Sequence, residues 1–254
     1  MLGVHRRGLA VHRLLTTSAN DIPANRASQP RDIESFWEYS DPAASERRFR
    51  EALAAASGDD RLELLTQIAR THSLRKDFAA AHRQLDAVEK ELGNAGPRPR
   101  IRYRLERGRT FNSAGDKARA RPLFEQAWAL ARETDSKGLA VDAAHMIAIV
   151  AEGTDEAVQW NQRGLEVARR SSDAKAQALI PAMYNNMAWD LHSMGRYPEA
   201  LAAFETALAE WTARGKPWQI QVAKWSVAQC LRSMGRYREA VEIEKALEAE
   251  GYKP

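Results

Sequence analysis

The chain has 254 residues, a formal charge of +4 and one cysteine. That length suits one or two ordinary domains or one repeat array. A lone cysteine excludes an intrachain disulfide, and no run nears the roughly 18 apolar residues a membrane helix needs.

The charge is unevenly placed. Before residue 32, five Arg (Arg6, Arg7, Arg13, Arg26, Arg31) stand against Asp21 alone, so the remainder is formally neutral. A nucleic-acid-binding body is expected to carry clustered positive charge, so none is expected to bind here. Residues 1–31 show no sustained helical period, and a disordered tail is expected there.

Order is expected from residue 32. Asp41-Pro42 supplies an N-cap and a Pro in the first turn. The helix that follows carries Phe49, Ala52 and Leu53 on one face, with Phe36, Trp37 and Tyr39 folding back over it. Residues 32–58 are read as a capping half repeat. Five helical hairpins are expected over 59–254.

The first hairpin spans about residues 60–92. Asp59 or Asp60 is expected to cap its first helix, and Lys76-Asp77-Phe78 forms its turn. The second spans about 100–133, with Gly108 and Phe111 at close-packing positions and Ser113-Ala114-Gly115-Asp116 as the turn. Arg104 and Arg107 stand where apolar residues are normal, so its first helix is expected to be poorly buried. The third, about 136–170, turns at Glu152-Gly153-Thr154-Asp155. The fourth and fifth span about 181–214 and 217–250.

The last two carry the clearest text. Met183 to Glu210 reads MYNNMAWDLHSMGRYPEALAAFETALAE, and Lys224 to Glu250 reads KWSVAQCLRSMGRYREAVEIEKALEAE. Apolar residues recur at three- and four-residue steps on both sides of Gly195 and Gly235, the pattern of paired amphipathic helices. The second-helix packing Ala falls at Ala81, Ala120, Ala157, Ala200 and Ala240, in steps of 39, 37, 43 and 40 residues.

This pattern resembles the tetratricopeptide repeat (TPR) family, in a variety longer than the usual repeat of about 34 residues. The Asn185-Asn186 pair is similar to kinesin-light-chain-like repeats. The resemblance implies an all-α solenoid, a right-handed superhelix of antiparallel helix pairs. It also implies a non-enzymatic adaptor that holds a peptide or partner protein on its concave face.

Carrying the family's groove positions over gives Arg70, Arg109, Asn112, Asn185, Trp189, His192, Trp225, Gln229 and Arg232. The three Arg imply an acidic ligand, since a guanidinium donates two parallel hydrogen bonds to a carboxylate. Trp189 and Trp225 imply a bulky apolar anchor. An alternative reading is a ligand-responsive sensor module acting in trans.

No phosphate loop, zinc motif or nucleophile elbow is present in the sequence, so no cofactor, metal or catalytic residue is expected. His72 and His145 are expected to be packed core residues, and Cys230 a small core residue. Tyr197 and Tyr237 are expected to fill the space over the Gly turns. The Glu-rich last helix is expected to cap the array, compatible with a monomer, and a cytoplasmic location is expected.

Overall fold

A computed structural model describes residues 33–253. Among them the regular structure is helical throughout, without strands, and no helix is long and apolar enough to cross a membrane. The protein is all-α, built of antiparallel helix pairs joined by tight turns. The described chain divides into two compact units, residues 33–150 and 151–253. The segment 1–31, expected to be disordered, lies outside the described residues.

The N-terminal unit contains α1 (Pro42–Leu53), α2 (Gly58–Leu74), α3 (Phe78–Glu89), α4 (Pro97–Ser113), α5 (Lys117–Glu133) and α6 (Lys137–Val150). Capping carboxylates set several helix starts. Asp41, Asp77 and Asp116 accept the backbone N–H of Ala44, Ala80 and Arg119, each at 3.0 Å, which satisfies donors the helix itself cannot.

Ahead of α1, a short 3-10 turn (Ile33–Phe36) brings Phe36 and Trp37 edge-on to Phe49, at 5.9 and 5.0 Å between ring centroids. Ile33, Trp37, Phe49, Ile68, Leu85 and Val88 form the apolar cluster of this end. At Gly108 an added Cβ would lie 2.5 Å from the Phe124 ring, so only Gly lets α4 and α5 approach this closely.

Two expectations fail here. Asp59 does not cap α2. Ser57 stands at the N-cap, Asp59 and Asp60 both lie inside the first turn, and Asp59 instead accepts the N–H of Gly96 at 3.0 Å. Nor is α4 poorly buried. Ile101, Tyr103, Leu105 and even Arg107 are buried. Arg107 extends over the Tyr103 ring, with its guanidinium 5.4 Å from the centroid, and donates to Asp86 at 2.5 Å. A long side chain can cover apolar surface while its head stays paired.

The C-terminal unit contains α7 (Asp155–Arg169), α8 (Ala174–Ala178), α9 (Ile180–Ser193), α10 (Tyr197–Ala213), α11 (Pro217–Ser233) and α12 (Tyr237–Ala249). Thr154 caps α7 by accepting the N–H of Ala157 at 3.2 Å. Gly195 closes the turn between α9 and α10 at φ +76°, a left-handed value that costs Gly little. Ala188 and Ala200 are fully buried where these two helices pack, and Phe204 and Trp211 fill the core beside them.

Tyr197 is half-buried, as its position implies. Tyr237, in the same local text, is not. It is 65% exposed, and Val241 one turn on is 41% exposed. The outer face of α12 is therefore not wholly polar. The physical reason is the neighbour: α11 packs on α10, whereas no helix packs on that face of α12 among the described residues.

Candidate functional site

In the N-terminal unit, the helical repeat lines up Glu63, Gln67 and Arg70 on α2, and Arg98, Arg102, Glu106 and Arg109 on α4, at three- and four-residue steps. These two stripes meet. Glu106 accepts from Arg109 at 2.7 Å and lies 3.7 Å from Arg70. Arg109 also donates to Asp142 of α6, Arg98 to Glu63 at 3.1 Å, and Arg102 to Glu34. Four guanidiniums (Arg70, Arg98, Arg102, Arg109) thus oppose four carboxylates (Glu34, Glu63, Glu106, Asp142).

Burial works against the charges on Arg102 and Arg109. For Arg102 the carboxylates of Glu34 and Glu63, and for Arg109 those of Asp142 and Glu106, overcome it and push the guanidinium pKa up. Burial likewise opposes the Asp142 carboxylate, and the Arg109 guanidinium holds it below the usual range. Arg102, Arg109 and Asp142 are thus held in their charged forms.

Arg70 and Arg109 are therefore brought together, as their shared face implies, but each is already engaged by the chain's own groups. Asn112 lies half-buried at the end of α4, its Oδ1 without a hydrogen-bond partner among the described residues. His145 is fully buried, and His72 sits against Glu46 and Arg75.

In the C-terminal unit the candidate residues lie on α9 and α11. Trp189 and Trp225 approach to 6.0 Å between centroids. Trp189 also packs edge-on to His192 at 5.4 Å and to the core residue Phe204 at 5.0 Å. His192 Nε2 is 2.8 Å from Ser233 Oγ, and burial pushes the imidazole pKa down, favouring the neutral ring. Asn185 is 1% exposed, and its Nδ2 has no hydrogen-bond partner among the described residues.

Trp225, Gln229 and Arg232 line a depression of about 540 Å³ whose other wall is Glu244, Leu247 and Tyr252. Arg232 donates to Glu244 at 3.0 Å, and Gln229 to the same carboxylate at 3.4 Å. Cys230, next to this wall, is buried, and burial pushes its thiol pKa up, so it is a poor nucleophile.

The acid-binding role expected of Arg70, Arg109 and Arg232 changes in this light. Each already has a carboxylate in reach. Sequence reasoning missed Glu34, Gln67, Glu244 and Tyr252. Glu34 belongs to a stretch read only for packing, Gln67 lies one turn before the groove position Arg70, and the last two lie on or beyond a helix read only as a cap.

Paired antiparallel helices in sequence order, small residues where they cross and Gly turns between them define a helical-repeat scaffold. Residues 179–249 match the tetratricopeptide repeat family model, so that stretch of the chain carries repeats of this kind. No curated protein matches it.

Among solved structures, it is similar to BtubC (BKLC) from P. vanneervenii, with 16% identity over 88% of this chain and 94% of that one, at a TM-score of 0.65. It is also similar to putative kinesin light chain TPR-like repeats of Podosopora anserina, with 19% identity over 78% and 100% of the chains, at 0.62. A third is NprR in complex with its cognate peptide NprX, with 18% identity over 84% of this chain and 61% of that one, at 0.55. At these identities the likeness is one of fold.

Proposed function

We propose that the protein is a non-enzymatic adaptor that holds an extended peptide segment of a partner protein on the face shared by α9 and α11. The observation that carries this reading is the Trp189–Trp225 pair beside the depression lined by Trp225. Half-buried aromatic rings next to a depression are the usual anchors of a binding hot spot. The polar wall of Gln229, Arg232 and Glu244 is charge-balanced, so the ligand is defined by a bulky apolar or aromatic side chain more than by net charge.

Asn185 also lies on α9, but at 1% exposure its carboxamide is closed off from a ligand in the groove.

A second reading is a peptide-responsive sensor module acting in trans. The likeness to NprR, described with its cognate peptide, favours it. Selection of phage-displayed random peptides on the immobilised full chain tests the shared core of both. Enrichment of peptides with a common bulky apolar residue, lost on Trp225→Ala, supports the groove. No enrichment, or enrichment indifferent to Trp225, refutes it. A peptide that also changes the hydrogen-exchange pattern far from α9 and α11 favours the sensor.

A further inference from the structure

We propose that the face shared by α2 and α4 is a second binding site, for a segment that carries a carboxylate followed three and five residues later by aromatic rings, and that the chain's own Glu34, Trp37 and Tyr39 occupy it. This goes beyond the proposed function, which concerns α9 and α11. Either can fail without the other.

The segment reads both ways. Ile33, Phe36 and the edge of Trp37 belong to the apolar cluster around Phe49. Tyr39 also packs against that cluster, but the polar contacts of the segment go beyond helix packing. Arg102, only 5% exposed, donates to Glu34. Trp37 Nε1–H donates to Gln67 Oε1 at 3.0 Å. The Trp37 and Tyr39 rings stack with centroids 4.8 Å apart and planes within 4°. The Arg70 guanidinium lies 5.2 Å from the first ring and 5.4 Å from the second.

Carboxylate on guanidinium, indole N–H on carboxamide and aromatic faces on guanidinium are recognition contacts, each specific in geometry. They come from the segment ahead of α1 and fall on Gln67 and Arg70 of the α2 stripe and Arg102 of the α4 stripe.

Charge supports the assignment. Without Glu34 the face holds four guanidiniums against Glu63, Glu106 and Asp142, so it calls for one more acid. The occupant also leaves two donors unmet: the buried Nε–H groups of Arg70 and Arg102 have no hydrogen-bond partner among the described residues. A segment that met them would compete with the resident one. The resident is tethered, so its effective concentration is high, on the order of millimolar, and it masks the site from ligands in solution.

The test uses the full chain and a fluorescein-labelled peptide of residues 33–41, read by anisotropy. The triple variant Glu34→Ala/Trp37→Ala/Tyr39→Ala unmasks the site. It is expected to bind the peptide about tenfold or more tightly than the parent, because the competent fraction rises. A peptide with Glu34→Ala is expected to bind the triple variant more weakly. A triple variant that keeps the parent's helical circular dichroism and binds no better than the parent overturns the proposal. If the triple variant unfolds, Glu34→Ala/Tyr39→Ala decides, since it leaves Trp37 in the cluster. A gain of about threefold supports the site, and parity with the parent overturns it.

Discussion

Trp189 and Trp225 face each other from α9 and α11, with ring planes tilted by 41°. Their roles differ because their other neighbours differ. Trp189 rests edge-on against Phe204, which is 1% exposed, whereas Trp225 borders the open depression. Trp189→Ala is therefore expected to cost about 2 kcal/mol or more of stability through the lost packing, and Trp225→Ala about 1 kcal/mol or less. Urea unfolding of the two variants measures the split. Equal losses would mean that both rings are core.

Glu106 is the hinge of the N-terminal ion network, 1% exposed and paired with Arg109. Glu106→Ala leaves Arg70 without its carboxylate and Arg109 with Asp142 alone, and is expected to cost about 3 kcal/mol. Arg232→Ala breaks the exposed pair with Glu244 and is expected to change stability by less than about 1 kcal/mol. Chemical denaturation of both variants checks the contrast, and a mild Glu106→Ala would show that the network can rearrange.

Asp190 gives the C-terminal unit a pH dependence. Burial pushes its carboxyl up to about 6, against the pull of the Gly153 N–H, which it accepts at 2.8 Å, and with help from Glu152. The unfolded carboxyl titrates at about 3.9. The folded state therefore holds the proton more tightly, and this stabilisation is complete below about pH 4 and lost as pH rises through about 6. The loss is on the order of 2–3 kcal/mol.

Asp190→Asn keeps an acceptor for Gly153 and removes the buried charge, losing only the long 3.5 Å contact from Asn161 Nδ2. It is expected to raise stability by about 1–3 kcal/mol at pH 7.5 and to change little at pH 4. Melting curves at the two pH values decide. A variant destabilised at pH 7.5 would mean that the ionised form is the favoured one.

Lys76 occupies the left-handed turn between α2 and α3 at φ +64°, where Gly195 and Gly235 stand in later turns. A left-handed Cβ costs about 1–2 kcal/mol, partly offset by the greater unfolded-chain entropy of Gly. Lys76→Gly is expected to stabilise by about 0.5–1 kcal/mol. Thermal unfolding checks it, and a loss of stability would contradict the strain.

The fold was legible because the residues that make it are local. Ala188, Gly195 and Ala200 act over one hairpin, and their spacing shows in the text. The ion network was not. Glu34 meets Arg102 across 68 residues, and nothing in either neighbourhood announces the other. Arg107 misled because a lone Arg in an apolar position reads as exposure, while its partner Asp86 lies on the preceding helix. Tyr197 and Tyr237 share their local sequence and differ in burial, since burial depends on which helix packs next.

The site was half legible. The family positions located Trp189 and Trp225 on facing helices. They also placed Glu106 and Asp142 opposite the groove Arg residues, which leaves only a modest positive excess, and the structure pairs both with Arg109 and adds Glu244 on Arg232. Salt is accordingly expected to weaken ligand binding only modestly.

The central claim is that the α9–α11 face holds a peptide through Trp225. Its most direct measurement is isothermal titration of the best phage-selected peptide into the parent and into Trp225→Ala, each checked for an unchanged unfolding midpoint. The account predicts a loss of about 2 kcal/mol or more, roughly 30-fold in Kd, with the fold intact. A stable Trp225→Ala variant that binds the peptide as tightly as the parent would contradict it.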